Sequence, residues 1–214
     1  MKKIENKKAL IFDVDGTLWD SVHVITIAWG DAIKDHTDLP VNFDDEALTR
    51  LFGNTMKDIF DTLYPEVPAE EFAKVEPYLY EYQYRYLIDY KNPLYEGMKE
   101  TLKTLGEKYD LYVVTNANVG YVESVIKANG LQGYFKDWMC YGDTKQVKSF
   151  TIRALMDRCG IDPERAVYIG DTHMDEEASS AAGIDFVYCN YGMGKAKSPM
   201  AEISKPTELL ELFF

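Results

Sequence analysis

Apolar positions along the chain change their period several times, and those changes divide it. Short, nearly continuous β-rich runs stand at residues 9–15 (ALIFDVD), 111–116 (LYVVTN), 166–171 (AVYIGD) and 185–190 (DFVYCN), with a weaker run at 138–142 (WMCYG). Helical spacing fills the intervals at residues 97–109, 119–129, 149–159, 175–182 and 207–213. Strands that are apolar throughout and alternate with helices predict an α/β fold, a Rossmann-like parallel sheet covered on both faces. Ligands of such sheets sit beyond the carboxyl ends of the strands. Three of the four strong runs end there in polar residues: Asp13/Asp15, Thr115/Asn116 and Gly170/Asp171.

From about Trp19 to Lys91 the alternation fails. Helices are expected near residues 21–36, 44–52, 56–63 and 70–89, with no convincing strand between them. This stretch reads as a helical cap inserted after the first strand: residues 1–18 and 92–214 would form the catalytic core and 19–91 the cap. Within it, YLYEYQYRYLIDY (78–90) repeats tyrosine at every second position like a strand. The lack of glycine and the presence of Glu, Gln, Arg and Leu favour a helix, with tyrosines packed between cap helices and at their surface. A substrate-facing aromatic wall is the alternative.

Composition narrows the chemistry. A chain of 214 residues that is 46% hydrophobic can bury a sizeable core. Its 36 acidic against 23 basic residues give a net charge of -13, which repels nucleic-acid phosphates and anionic lipid surfaces, so neither is an expected partner. Cys140, Cys159 and Cys189 are odd in number and far apart, and read as ordinary thiols in a reducing compartment. The N-terminal lysines are like those of a signal peptide, but the apolar stretch after them is short and broken by Asp13. No run approaches the roughly 18 apolar residues that cross a bilayer. Together these features predict a cytoplasmic protein; nothing in the pattern specifies an oligomeric state.

Two carboxylates one residue apart at a strand end are unfavourable unless a cation or a shared proton offsets them. Asp13-Val14-Asp15 therefore suggests a hard divalent cation with oxygen ligands, to which Asp171 would add a third from another strand end. With Mg2+ there, one aspartate can attack phosphorus to give an aspartyl-phosphate while the other handles protons. Gly16 lets the chain turn sharply enough to bring both side chains to one pocket.

These residues resemble the motifs of the haloacid dehalogenase superfamily, in the phosphatase branch with a helical cap that includes phosphoglycolate phosphatase and β-phosphoglucomutase-like proteins. Asp13-Val14-Asp15-Gly16-Thr17-Leu18, followed by Asp20-Ser21, matches the first motif. The resemblance implies that Asp13 is the nucleophile and that Asp15 is the general acid/base, its backbone carbonyl helping to hold Mg2+. Thr115-Asn116 matches the second motif, which binds phosphoryl oxygens. YGDTKQVKSFTIRAL resembles the third, in which a lysine opens a helix and Ile-Arg follow four and five residues later. That form selects Lys148 over Lys145 as the cation that neutralises the nucleophile and the transferring phosphoryl group. GDTHMD has the spacing of the fourth motif, with Asp171 as a metal ligand and Asp175 as a ligand through water or an orienting residue.

His173, inside that motif, has no second histidine or cysteine nearby and reads as a loop residue near the site; His23 and His36 fall in a cap helix and the loop after it. Gly53-Asn54-Thr55 resembles the loop that caps of this family dip into the site, though a plain interhelical turn fits too. NYGMG (190–194) resembles a glycine loop at the pocket rim.

The resemblance implies a Mg2+-dependent phosphatase acting on a small phosphorylated metabolite. A phosphomutase acting on a sugar phosphate shares every core residue and remains the alternative. Dehalogenation and phosphonate hydrolysis are disfavoured, because those branches lack the aspartate present here as Asp15. A non-catalytic phosphate-binding regulatory protein would be expected to have lost Asp13, Asp15, Lys148 or Asp171, and all four are present. No motif in residues 19–91 names a substrate.

Overall fold

In the computed structural model, which describes residues 2–89 and 94–214, six strands form one all-parallel sheet. They are β1 (Ala9–Phe12), β2 (Asp110–Thr115), β3 (Asp137–Cys140), β4 (Ala166–Gly170), β5 (Asp185–Cys189) and β6 (Ala201–Ile203), in the order β3-β2-β1-β4-β5-β6. From β1 the chain builds outward to β3, then returns to β4 on the other side. The loops after β1 and β4 thus diverge and leave a crevice between them, where ligands of such sheets bind.

Leu10, Ile11 and Phe12 are fully buried because both faces of the sheet are covered. Leu10 and Phe12 share a hydrophobic cluster with α5 (Met98–Leu105), α6 (Tyr121–Asn129) and α10 (Glu208–Phe213). Ile11 belongs to a second cluster with α8 (Lys148–Cys159) and α9 (His173–Ala182). Alternate residues of one strand therefore anchor opposite helical layers.

Between β1 and α5, the described residues contain only helices: α1 (Val22–His36), α2 (Asp45–Thr49), α3 (Met56–Leu63) and α4 (Ala69–Asp89). The long helices α1 and α4 pack along one another, and the buried Trp29 Nε1 donates to Gln83 Oε1 at 2.8 Å. On α4 the tyrosines point in several directions. Tyr82 and Tyr86 donate to Asp35 and Asp31 of α1 at 2.7 and 2.8 Å, whereas Tyr84 reaches the core and donates to the Val119 carbonyl at 2.6 Å. Tyr78 stacks on His36, ring centroids 3.7 Å apart. His36 is the last residue of α1 rather than part of the following loop. The two connections to the cap run side by side, with Trp19 bridged to Leu94 and the Tyr95 amide donating to the Leu18 carbonyl at 3.1 Å. The expected boundary between residues 91 and 92, and the last tyrosine of the run, lie outside the described residues.

Two further expectations change, and one strand was not foreseen. Residues 13–15 leave the sheet instead of extending β1, although the Asp13 amide still donates to the Ile169 carbonyl at 2.9 Å. The weak run at 138–142 is a strand only as far as Cys140. Asp143 then accepts the Cys140 amide at 2.8 Å and turns residues 141–144 into the short helix α7 (Tyr141–Thr144). β6 has three residues, too few for a period to register in the sequence.

Candidate active site

Asp13 follows β1 directly and is buried, while Asp15 is half-buried at the turn beyond it. Asp171 and Thr172 follow β4, and Asp175 lies in the first turn of α9. Their carboxylates converge: one oxygen each from Asp13, Asp171 and Asp175 lie within 4.8 Å of one another, all buried. Lys148, the first residue of α8, enters this cluster with Nζ 3.1 Å from Asp13 Oδ1 and 2.6 Å from Asp175 Oδ1. Lys145 stays outside; its ammonium donates to Asn118 Oδ1 at 3.2 Å.

Charge and burial oppose each other here. Burial pushes the Asp13 carboxyl well up, against the pull of Lys148, and the carboxylates of Asp175, Asp171 and Asp15 add to the rise. Asp171 is pushed up to about 7, first by burial and then by Asp175. For Lys148, burial disfavours the charge, but Asp13 and Asp175 outweigh it and hold the lysine above its ordinary value. One buried ammonium thus faces three buried carboxylates, a cluster of hard oxygens and negative charge that fits a divalent cation.

The four aspartates do not stand alike toward such an ion. Both oxygens of Asp175 are taken: Oδ1 by Lys148, and Oδ2 by the Asp171 amide at 3.2 Å, the Thr172 amide at 3.0 Å and the Thr172 hydroxyl at 2.7 Å. This is a capping box at the start of α9. It also explains why the helix begins at His173, two residues before the expected start, and it makes Asp175 an orienting group more than a direct ligand. Asp171 accepts the Met193 amide at 2.7 Å and the Thr17 hydroxyl at 3.3 Å. The approach is close. Gly16 sits at φ +79°, and a Cβ there would lie 2.1 Å from Asp171 Oδ2; a Cβ on Gly192 would lie 2.3 Å from Asp171 Cβ. The glycine loop at 190–194 therefore supports the Asp171 carboxylate from behind.

Asp15 is held by three donors on one oxygen. Its Oδ1 accepts from Ser21 Oγ, from Tyr121 Oη at 2.5 Å and from Trp19 Nε1 at 3.2 Å. Ser21 stands at the N-cap position of α1 yet makes no cap bond with its side chain, because its hydroxyl serves Asp15 instead. Burial raises the Asp15 carboxyl, and these three hydrogen bonds favour its ionised form and pull it back down. With Oδ1 saturated by donors, a proton on Asp15 belongs on Oδ2.

Above these residues lies a cavity of about 60 Å³, lined by Asp13, Asp15, Thr115, Asn116, Tyr121 and Lys148 from the core and roofed by the cap. Asn116 Nδ2 donates to the Gly53 carbonyl at 2.6 Å, so the Gly53-Asn54-Thr55 loop does reach down to the second motif. Thr115 is buried, and its hydroxyl accepts the Ala117 amide at 3.3 Å. His173 is exposed on the opposite side of its helix turn and does not line the cavity.

Sequence reasoning did not find Trp19, Tyr121, Thr172 or Met193, and assigned no role to Ser21. Tyr121 is 106 positions from Asp15, and nothing beside either residue announces the pairing.

A family model described as haloacid dehalogenase-like hydrolase matches residues 10–189. A phosphoglycolate phosphatase of Aquifex aeolicus is 28% identical, with 96% of each chain covered. One from Vibrio vulnificus is 29% identical over 86% of this chain and 84% of its own. Among solved structures, a haloacid dehalogenase-like family hydrolase from Streptococcus pneumoniae superimposes with a TM-score of 0.81 at 21% identity, covering 97% of this chain and 99% of that one.

Proposed function

The chain belongs to the haloacid dehalogenase-like hydrolase family, a phosphatase by its relatives, and from that premise we propose that it hydrolyses a small phosphorylated metabolite through an aspartyl-phosphate on Asp13, with Mg2+. The observation that carries this reading is the buried contact of Lys148 with Asp13 and Asp175. It aims a nucleophilic carboxylate into the cavity beside a fixed cation that an incoming phosphoryl group would also meet.

Asp13, Asp171 and the backbone carbonyl of Asp15 would hold the ion, with Asp175 fixing the loop. Mg2+ would neutralise charge on the phosphoryl oxygens and the nucleophile. Thr115 and Asn116, with Lys148, would grip the phosphoryl oxygens. A carboxylate oxygen of Asp13 attacks phosphorus and the ester P–O bond breaks, while Asp15 Oδ2 gives its proton to the departing alkoxide. Asp15 then takes a proton from water as that water attacks phosphorus. The P–O bond to Asp13 breaks, inorganic phosphate leaves, and both aspartates return to their starting states.

Asp15→Asn tests the division of labour between the two aspartates. Turnover should fall by about 10²–10⁴. p-Nitrophenyl phosphate needs little help from an acid in the first step, so the aspartyl-phosphate should accumulate. Mass spectrometry of quenched protein should then place an added phosphoryl group on the peptide containing Asp13. A label on Thr17, Ser21 or a histidine would refute the assignment.

Tyr121→Phe removes one of the three donors that fix Asp15. Across a series of substituted phenyl phosphates, kcat/KM should depend more steeply on the basicity of the leaving group than in the wild type, with a loss of roughly tenfold for phenyl phosphate and less for p-nitrophenyl phosphate. An equal loss for every member would mean that the hydroxyl serves folding alone.

A further inference from the structure

The cavity over Asp13 has two unlike sides. Its formal charges all lie on the core side, in Asp13, Asp15 and Lys148. On the cap side Ile25, Trp29, Phe52, Met56 and Ile59 line it, with Asn54, Gln83 and Tyr80 as the polar groups. Among the described residues no cap cation lines it: Arg50 pairs with Glu46 and Lys74 with Glu71 on outer surfaces, and Lys57, paired with Asp61, lines the adjoining outer cleft instead of this cavity. Lys148 lies at the floor of the cavity on Asp13 and Asp175, where it would serve the phosphoryl group and not the leaving group.

Resting on the phosphatase reading, we propose that this cap selects a phosphate monoester of a small uncharged alcohol, and that it disfavours leaving groups carrying a carboxylate. The phosphoryl group already brings negative charge into a cluster of four aspartates. A second anion on the leaving group would lose its hydration against the apolar side chains of Ile25, Met56 and Ile59 with no cation among the described residues on that side to meet it, which is costly. An alcohol fits the same place. The Oε1 of Gln83 is occupied by Trp29 Nε1, which leaves its amide N–H groups to a hydroxyl oxygen, and the methyl and ring surfaces take carbon. The cap therefore sets this chain apart from the activity in its relatives' names, whose product, glycolate, is a carboxylate.

Two nearly isosteric probes decide it. With Mg2+, the wild-type protein should show kcat/KM at least tenfold higher for 2-hydroxyethyl phosphate than for 2-phosphoglycolate, which differ in a hydroxymethyl against a carboxylate. Met56→Lys, at a half-buried position on the cap side, should shrink that ratio at least tenfold, with circular dichroism verifying that the variant is folded. A wild-type preference for 2-phosphoglycolate, or a ratio untouched by Met56→Lys in a folded variant, would overturn the proposal. Failure of the wild type on p-nitrophenyl phosphate as well as on both probes would instead overturn the phosphatase reading beneath it.

Discussion

Asp13→Asn should leave no measurable turnover of any phosphate ester, a loss of at least about 10⁴-fold. An amide is a poor nucleophile and forms no acyl-phosphate, and no neighbouring carboxylate is placed to substitute. Asp15 is tied to Ser21, Tyr121 and Trp19, Asp175 has both oxygens engaged, and Asp171 faces Met193 and Thr17. The folded state should survive. Burial and the neighbouring carboxylates make an ionised Asp13 unfavourable unless a cation is bound beside it. Lys148 keeps Asp175 as a partner. In chelator the variant's Tm by circular dichroism should equal or exceed that of the wild type, by a margin that grows as pH rises and the raised Asp13 carboxyl loses its proton. Retention of a tenth of wild-type activity would show that Asp13 is not the nucleophile.

Removing Mg2+ with a chelator should abolish activity, and added Mg2+ should restore it, whereas Ca2+ should not. Calcium takes more ligands at longer distances and would misplace Asp13 against phosphorus. Asp171→Ala should reproduce the loss. The pH dependence of metal binding follows from Asp171, pushed up to about 7 from the ordinary carboxyl value of 3.8. An acid whose pKa is higher folded than unfolded favours the folded state when protonated; that contribution is present below the unfolded value and disappears as pH rises through about 7. Bound metal needs the ionised form, so it works in the opposite sense. The rise in Tm produced by Mg2+ should therefore grow between pH 6 and pH 8 in the wild type and vanish in Asp171→Ala. Full activity in chelator, or a Mg2+ shift that shrinks with rising pH, would remove the metal from the reaction.

Much of this site was legible because its parts depend on near neighbours. The apolar run at residues 9–12 marks a strand covered on both faces, and Gly16 marks the turn that follows it. Lys148, at the first position of its helix, and the paired Asp171 and Asp175 were legible through the resemblance of their spacing to the family's motifs, whereas the cap that Thr172 and Asp175 form at the start of α9 was not foreseen. Periodicity and turns are interactions over one to five residues, so a single sequence records them. Tertiary packing alone decided the rest. It joined Lys148 to Asp13 across 135 positions and Tyr121 to Asp15 across 106. It pressed Gly192 against Asp171 and spent both oxygens of Asp175 on Lys148 and Thr172. Which cap residues face the phosphoryl pocket depended on how α1, α3 and α4 pack over the core. The physical reason is that a hydrogen bond or a desolvated wall between distant segments leaves no period in either segment. Each residue's local pattern is satisfied whether or not its partner is there, and only the closed core brings the two together.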